Sequence, residues 1–145
     1  MSSPRGDRGK RTGAKSTEAV VTATSYRQQT ILIVEDDPAL LSFYRAALLI
    51  EGFSIVTAPD GIDALHRIEH RSPDLIVLDL GLPRLSGHDL RREIAAHAHT
   101  RHVPILVVTG QANVDPSDFD CVLRKPVDAG TLVAAVEDCL RQRRH

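Results

Sequence analysis

The stretch Thr30-Ile-Leu-Ile-Val-Glu-Asp-Asp-Pro38 decides how the rest of the chain is read. Ile31–Val34 is a short, continuous aliphatic run, too brief for a helix, and it stops abruptly at three acids. Pro38 suits the first turn of a helix, and Asp36 or Asp37 can cap it. From Pro38 to Glu51 the apolar residues Leu40, Tyr44, Ala47 and Leu48 recur at helical spacing until Gly52. The unit is therefore strand, acidic turn, helix. Its strand has no polar alternation, which implies cover on both faces and hence a parallel sheet.

The same grammar continues outward. Phe53–Thr57, Leu75–Leu78, Val103–Val108 and Cys121–Leu123 read as further strands. Gly61–His70 (Ala64, Leu65 and Ile68 inward), Ser86–Ala98 (Leu90, Ile94) and Asp128–Gln142 (Leu132, Val136, Leu140) read as helices. Arg141, Arg143 and Arg144 close the last helix, where cations suit its negative end. Alternating strands and helices predict an α/β fold with a parallel sheet flanked by helices, and right-handed crossovers restrict the strand orders.

A chain of 145 residues, 42% hydrophobic and 26% charged, is sized for one globular domain. Tryptophan is absent and aromatics are scarce, so Val, Ile, Leu and Ala must build the core. Residues 1–29 hold six basic groups (Arg5, Arg8, Lys10, Arg11, Lys15, Arg27) and two acids (Asp7, Glu18). That surplus of four leaves −5 on residues 30–145, given the net charge of −1. This leader is too polar to bury a core and reads as a disordered basic tail ahead of a domain at 30–145. A mildly acidic domain gives no nucleic-acid footprint. No apolar run reaches the ~20 residues of a membrane span, and no secretory leader is visible, so the expected location is cytoplasmic. Cys121 and Cys139 lack metal-ligand spacing and read as small buried apolar residues of a reducing compartment.

In an open parallel sheet, ligands bind beyond the carboxyl ends of the strands. There the sequence puts Glu35-Asp36-Asp37 after strand one, Asp79 after strand three, Thr109-Gly110 at strand four and Arg124-Lys125-Pro126 after strand five. Each piece alone has an ordinary explanation as a cap, a turn or a solvated side chain. Placed jointly on one rim, they become a site. Crowded carboxylates repel, a hard divalent cation relieves that, and oxygen-only ligands favour Mg2+ over Zn2+. With Lys125 and the Thr109 hydroxyl beside them, they provide a nucleophile, a metal and charge neutralisation for phosphoryl transfer to a carboxylate.

Four segments, Ile31–Pro38, Leu75–Gly87, Pro104–Gly110 and Val122–Pro126, closely resemble the receiver domains of response regulators, the CheY-like superfamily. The resemblance covers Thr30 to Leu140 and implies a flavodoxin-like, doubly wound, five-stranded parallel sheet of order 2-1-3-4-5. It implies that Asp79 accepts a phosphoryl group. Glu35 and Asp36 match the acidic metal pair that, with Asp79 and the Gly81 carbonyl, holds Mg2+. Thr109 matches the switch hydroxyl and Lys125 the phosphate-binding lysine. The Lys125–Pro126 bond is expected to be cis. Gly81 and Gln111 stand where the family tunes the lifetime of the phosphoryl group. The implied partners are a sensor histidine kinase or phosphotransfer protein and an unknown downstream protein. A homodimer stays open. The implied role is a switch or phosphorelay shuttle that catalyses only its own phosphorylation and dephosphorylation. The chain ends after the last helix, so a stand-alone receiver without a DNA-binding output domain is expected.

Two departures stand out. Val122 occupies the position, three before the lysine, where most receivers carry Tyr or Phe. Thr109 and Lys125 are only 16 positions apart, fewer than is typical, and Gln111–Asp120 has no amphipathic period. The fourth helix of the pattern is therefore expected to be shortened or absent. Signalling is then expected through helix one and the loops around Asp79. Two other readings remain: a degenerate receiver acting as a protein-binding module, and a Mg2+-dependent phosphatase with Asp79 as nucleophile. The second lacks an acid two residues after Asp79, where Gly81 stands. His97, His99 and His102 lack ligand spacing and read as solvated.

Overall fold

In the computed structural model, residues 29–144 are described. The basic tail reading falls on residues 1–28, outside the described residues. Gln29 already joins the sheet, its carbonyl accepting the Ser54 N–H at 3.0 Å.

The elements alternate as the sequence implies: β1 (Thr30–Val34), α1 (Pro38–Ile50), β2 (Ser54–Ala58), α2 (Gly61–His70), β3 (Leu75–Leu78), α3 (Gly87–Ala96), β4 (Ile105–Thr109), β5 (Cys121–Arg124) and α4 (Ala129–Arg144). All neighbouring strands pair in parallel, in the order β2-β1-β3-β4-β5. This is the flavodoxin-like order. The connections reverse direction after β2, so the crevice between β1 and β3 is the topological switch point.

Side chains alternate across the sheet and divide the core into two layers. Leu32, Val34, Ile76, Leu78, Ile105 and Val107 face one side, where α2 and α3 bring Ala64, Ile68, Leu90 and Ile94. Ile31, Ile33, Leu75, Val77, Leu106 and Val108 face the other, where α1 and α4 bring Tyr44, Leu48, Leu132, Val136 and Leu140. The central strands β1, β3 and β4 are buried almost throughout, while the edge strands β2 and β5 are half-exposed. Double-sided burial is why these strands read as unbroken apolar runs.

Local chemistry explains small shifts in the boundaries. The Asp37 carboxylate accepts the Ala39 N–H at 2.9 Å and starts α1. Gly52, at φ 97°, ends the helix, and the Phe53 N–H is spent on the Leu48 carbonyl, so β2 begins at Ser54 rather than Phe53. Ser86 caps α3 instead of joining it. That helix stops at Ala96 because the Thr100 N–H and hydroxyl fold back on the carbonyls of His97 and Ile94. The Val103 N–H closes a turn on Thr100, so β4 starts at Ile105. Cys139 is fully buried, as expected, but Cys121 sits half-exposed on the edge strand.

Between β4 and β5 there is one 3-10 turn, Pro116–Asp118, and no α-helix. The shortened fourth helix read from the sequence is the observed state. The layer it would cover is closed by Val114 and Phe119, each buried to 7% exposure. The Arg91 guanidinium lies 5.4 Å from the centre of the Phe119 ring, and His88 packs against that ring at 5.9 Å. Phe119 is thus the plug of a thinned layer. Phe119→Ala should cost about 3 kcal/mol of unfolding free energy, measured by urea denaturation. A loss within 0.5 kcal/mol of zero would show that the layer closes without it.

Candidate functional site

The parallel ladders continue past the strand ends and align four segments at one rim. The Glu35 N–H donates to the Ala58 carbonyl at 3.1 Å, the Asp79 N–H to Val34 at 3.0 Å, and the Lys125 N–H to Thr109 at 2.9 Å. Backbone pairing, rather than side-chain attraction, therefore brings the acids together. Glu35 is buried to 2% exposure and Asp79 to 8%, while Asp36 is exposed. One carboxylate oxygen from each of these three lies within 4.8 Å of the others.

Lys125 enters from the β5 side. Its Nζ is 2.9 Å from Glu35 Oε1 and 3.6 Å from Asp79 Oδ2. The remaining oxygens are held by backbone. Asp79 Oδ1 accepts the Gly81 N–H at 3.1 Å, and Glu35 Oε2 accepts the Asp37 N–H at 3.1 Å. The fully buried Thr109 accepts the Gln111 N–H on Oγ1 at 3.0 Å. A Cβ built on Gly81 would stand 3.8 Å from Gln111 Nε2 and 3.9 Å from Asp79 Oδ1, so the Gln111 amide borders the site. The Lys125–Pro126 peptide is cis, as expected.

Electrostatically the site is short of positive charge. Burial pushes the Glu35 carboxyl above its ordinary range, helped by the charge of Asp79, and the hydrogen bonds from Lys125 and Asp37 only partly oppose this. For Lys125, burial disfavours the charge, but the Glu35 hydrogen bond and the charges of Asp79 and Glu35 outweigh it and raise its pKa. Lys125 therefore stays cationic, and one ammonium faces three carboxylates. An all-oxygen set with excess negative charge suits a hard divalent ion such as Mg2+, which accepts one or two carboxylates and retains waters. Among the described residues this is the one acidic, His or Cys grouping close enough to hold a metal.

Some supporting residues carried no signal in the sequence. Asp60 is buried, caps α2 through the Asp63 N–H at 2.9 Å, and pairs with Arg84 at 3.0 Å. Arg84 takes a left-handed φ of 69°, a strained choice outside glycine, in the loop that follows Asp79. That ion pair ties the loop to α2, where Gly61 lies so close to Leu85 that a Cβ would meet its carbonyl at 2.4 Å. Tyr44, read as a core residue of α1, is buried, and its hydroxyl has no hydrogen-bond partner among the described residues. Burial, first, and the neighbouring carboxylates raise its pKa, while Lys125 opposes them. His97 and His99 are exposed, and their rings meet in a tilted contact with centroids 5.9 Å apart.

Comparison with known proteins gives this geometry its context. The sequence profile of the response regulator receiver domain matches residues 31–137. The chain belongs to the response regulator receiver domain family. The transcriptional regulatory protein PrrA of Mycobacterium tuberculosis is 33% identical over 126 residues, covering 83% of this chain and 53% of PrrA. The chain spans about half the length of the curated relatives it matches first. Among solved structures, a CheY-like response regulator receiver domain protein from Methanospirillum hungatei superimposes with a TM-score of 0.73 at 28% identity, covering 80% of this chain and 96% of that one. The receiver domain of the sensor histidine kinase PA1611 from Pseudomonas aeruginosa, solved with a magnesium ion coordinated in its active site cleft, gives 0.71 at 30% identity, covering 78% and 98%. This receiver is thus a signalling domain of two-component regulation. No helix among its described residues is long and apolar enough to cross a membrane.

The raised Glu35 pKa gives a pH test. The folded state holds the Glu35 proton more tightly than the unfolded chain does. Glu35 therefore favours folding most below its ordinary value of 4.5, and that contribution is lost as pH climbs from there to the raised value. Glu35→Gln should flatten this part of the stability curve in metal-free buffer, measured as the difference between variant and wild-type unfolding midpoints across pH. Parallel curves would refute the assignment.

Proposed function

We propose that this receiver domain accepts a phosphoryl group on Asp79 and acts as a phosphorylation-dependent switch or relay. The observation that carries the reading is the Lys125 ammonium, 3.6 Å from Asp79 Oδ2, at the mouth of a three-carboxylate cluster. Glu35, Asp36, Asp79 and the Gly81 carbonyl would hold Mg2+. When bound, the ion supplies charge neutralisation for the transferring oxygens.

The donor is a phosphohistidine of a histidine kinase or phosphotransfer protein. An Asp79 carboxylate oxygen attacks phosphorus, the O–P bond forms, the P–N bond breaks, and the electron pair leaves with the imidazole nitrogen. Lys125 meets the negative charge on the phosphoryl oxygens, exchanging part of its contact with Glu35. The Gln111 N–H occupies one acceptor site of the Thr109 hydroxyl, which leaves the hydroxyl proton free to bond a phosphoryl oxygen once Thr109 moves toward it. The Gln111 amide borders the space a hydrolytic water would use, consistent with a part in setting the lifetime of the acyl phosphate.

Readout takes an unusual route. Val122 gives no ring to swing behind Thr109, and the segment after β4 offers no helix for a partner. The α1 face, with Phe43, Leu49 and Ile50 exposed, and the loops beside Asp79 are the surface on which kinase and downstream partner meet this domain.

Two measurements test the reading. Incubation with a small acyl or amido phosphate and Mg2+ should add one phosphoryl group to the intact mass. Asp79→Asn should add none, and Lys125→Ala should slow uptake at least about tenfold. An unmodified wild type that still binds partners would instead mark a degenerate receiver, and turnover of phosphomonoesters a phosphatase. Separately, Mg2+ at ten times its Kd should stabilise the wild type by about 1.4 kcal/mol, seen as a rise in Tm. Asp36→Asn and Glu35→Gln should lose most of that rise, and an equal rise in both would remove them from the metal set.

A further inference from the structure

The only two cysteines of the chain meet in space. Cys121 opens the edge strand β5, and Cys139 lies in the third turn of α4, 18 residues later. Their Sγ atoms are 3.0 Å apart. Cys139 is fully buried in the layer formed with Leu132, Val136 and Leu140, and Cys121 packs against that layer while keeping part of its surface open. Parallel pairing holds Cys121 opposite Leu106, and the packing of Leu132 and Val136 fixes α4 beneath it, so the backbones that carry the two sulfurs are held in place by the fold.

We propose that Cys121 and Cys139 are a reversible two-electron oxidation site that closes to an intramolecular disulfide. The half-exposed Cys121 reacts first. Its thiolate attacks one oxygen of hydrogen peroxide, an S–O bond forms, the O–O bond breaks, and hydroxide leaves to take up a proton as water. The sulfur is oxidised to a sulfenic acid. Cys139 then attacks that sulfur, the S–S bond forms, the S–O bond breaks, and the oxygen departs with the Cys139 proton as a second water. In sum two thiols and one peroxide give one disulfide and two waters. Contraction from 3.0 Å to the ~2.05 Å of a covalent S–S bond asks for about 1 Å of movement. The pairing protects the site chemically, because a sulfenic acid with a thiol in contact condenses before it is oxidised further.

The staple would join the strand that delivers Lys125 to the helix beneath it. Cys121 stands four residues before Lys125 on β5, and the edge strand is otherwise hydrogen-bonded on one side only, to β4. Oxidation therefore ties down one of the two edge strands of the sheet, the one that leads into Lys125. It also shortens the unfolded chain's freedom by closing the loop between positions 121 and 139.

The experiment uses the whole reduced chain, treated with equimolar hydrogen peroxide, denatured and alkylated with N-ethylmaleimide. Intact mass should fall by two hydrogens with no maleimide added. A peptide map should show the Cys121 and Cys139 peptides linked, and dithiothreitol should restore two alkylatable thiols. The oxidised form should melt several degrees higher than the reduced form. Cys121→Ser should leave one thiol that alkylates fully, with no loss of hydrogens. Two thiols that alkylate fully after treatment, oxygen added to one sulfur without a link, or links found only between molecules would each overturn the proposal. The wild-type mass alone decides the matter should the variant fold poorly.

Discussion

A single ammonium held among three carboxylates is the constraint on which the site depends. Lys125 Nζ sits 2.9 Å from Glu35 and 3.6 Å from Asp79, and the backbone ladder forbids these groups from separating. Three like charges on one rim would normally spread apart or protonate. Here burial, first, and the charge of Asp79 raise the Glu35 pKa, while the Glu35 hydrogen bond and the charges of Asp79 and Glu35 overcome the burial of Lys125 and keep it charged. Such a site carries a standing demand for more positive charge. A divalent cation answers part of it, and a phosphoryl group then adds negative charge beside a cation already in position.

The fold supplies that rigidity. Parallel pairing on both sides of β1, β3 and β4 leaves their ends no freedom to drift, and two apolar layers clamp the sheet from either face. The cost of thinning one layer is visible between β4 and β5. Where a helix would lie, Val114 and Phe119 are drawn inward, and the Arg91 guanidinium lies over the Phe119 ring. The Asp60–Arg84 ion pair does comparable work for the loop after Asp79, holding a residue at φ 69° that the loop alone would not favour.

Readability of the sequence tracked the source of each structural cause. The strands β1 and β3 were legible because double-sided burial writes itself as uninterrupted aliphatic text. The helices were legible through Tyr44 and Leu48, Leu90 and Ile94, and Leu132 and Val136, whose spacing follows a 3.6-residue period. Boundaries slipped at Phe53, Ser86 and Val103 because hydrogen bonds of a single turn decided them. The partial exposure of Cys121 is not legible in the sequence, because apolar character does not say whether a strand lies at the centre or the edge of a sheet.

The sequence by itself determined the alternation of elements, the loss of the helix before β5, and which residue types end each strand, because these follow from local periodicity and spacing. Tertiary structure alone decided how close they come: Lys125 bonds Glu35 more tightly than Asp79, Arg84 reaches Asp60 across 24 positions, and Cys121 meets Cys139. Distances between remote side chains depend on strand order, register and packing together. No stretch of text encodes those until the layers close on the sheet.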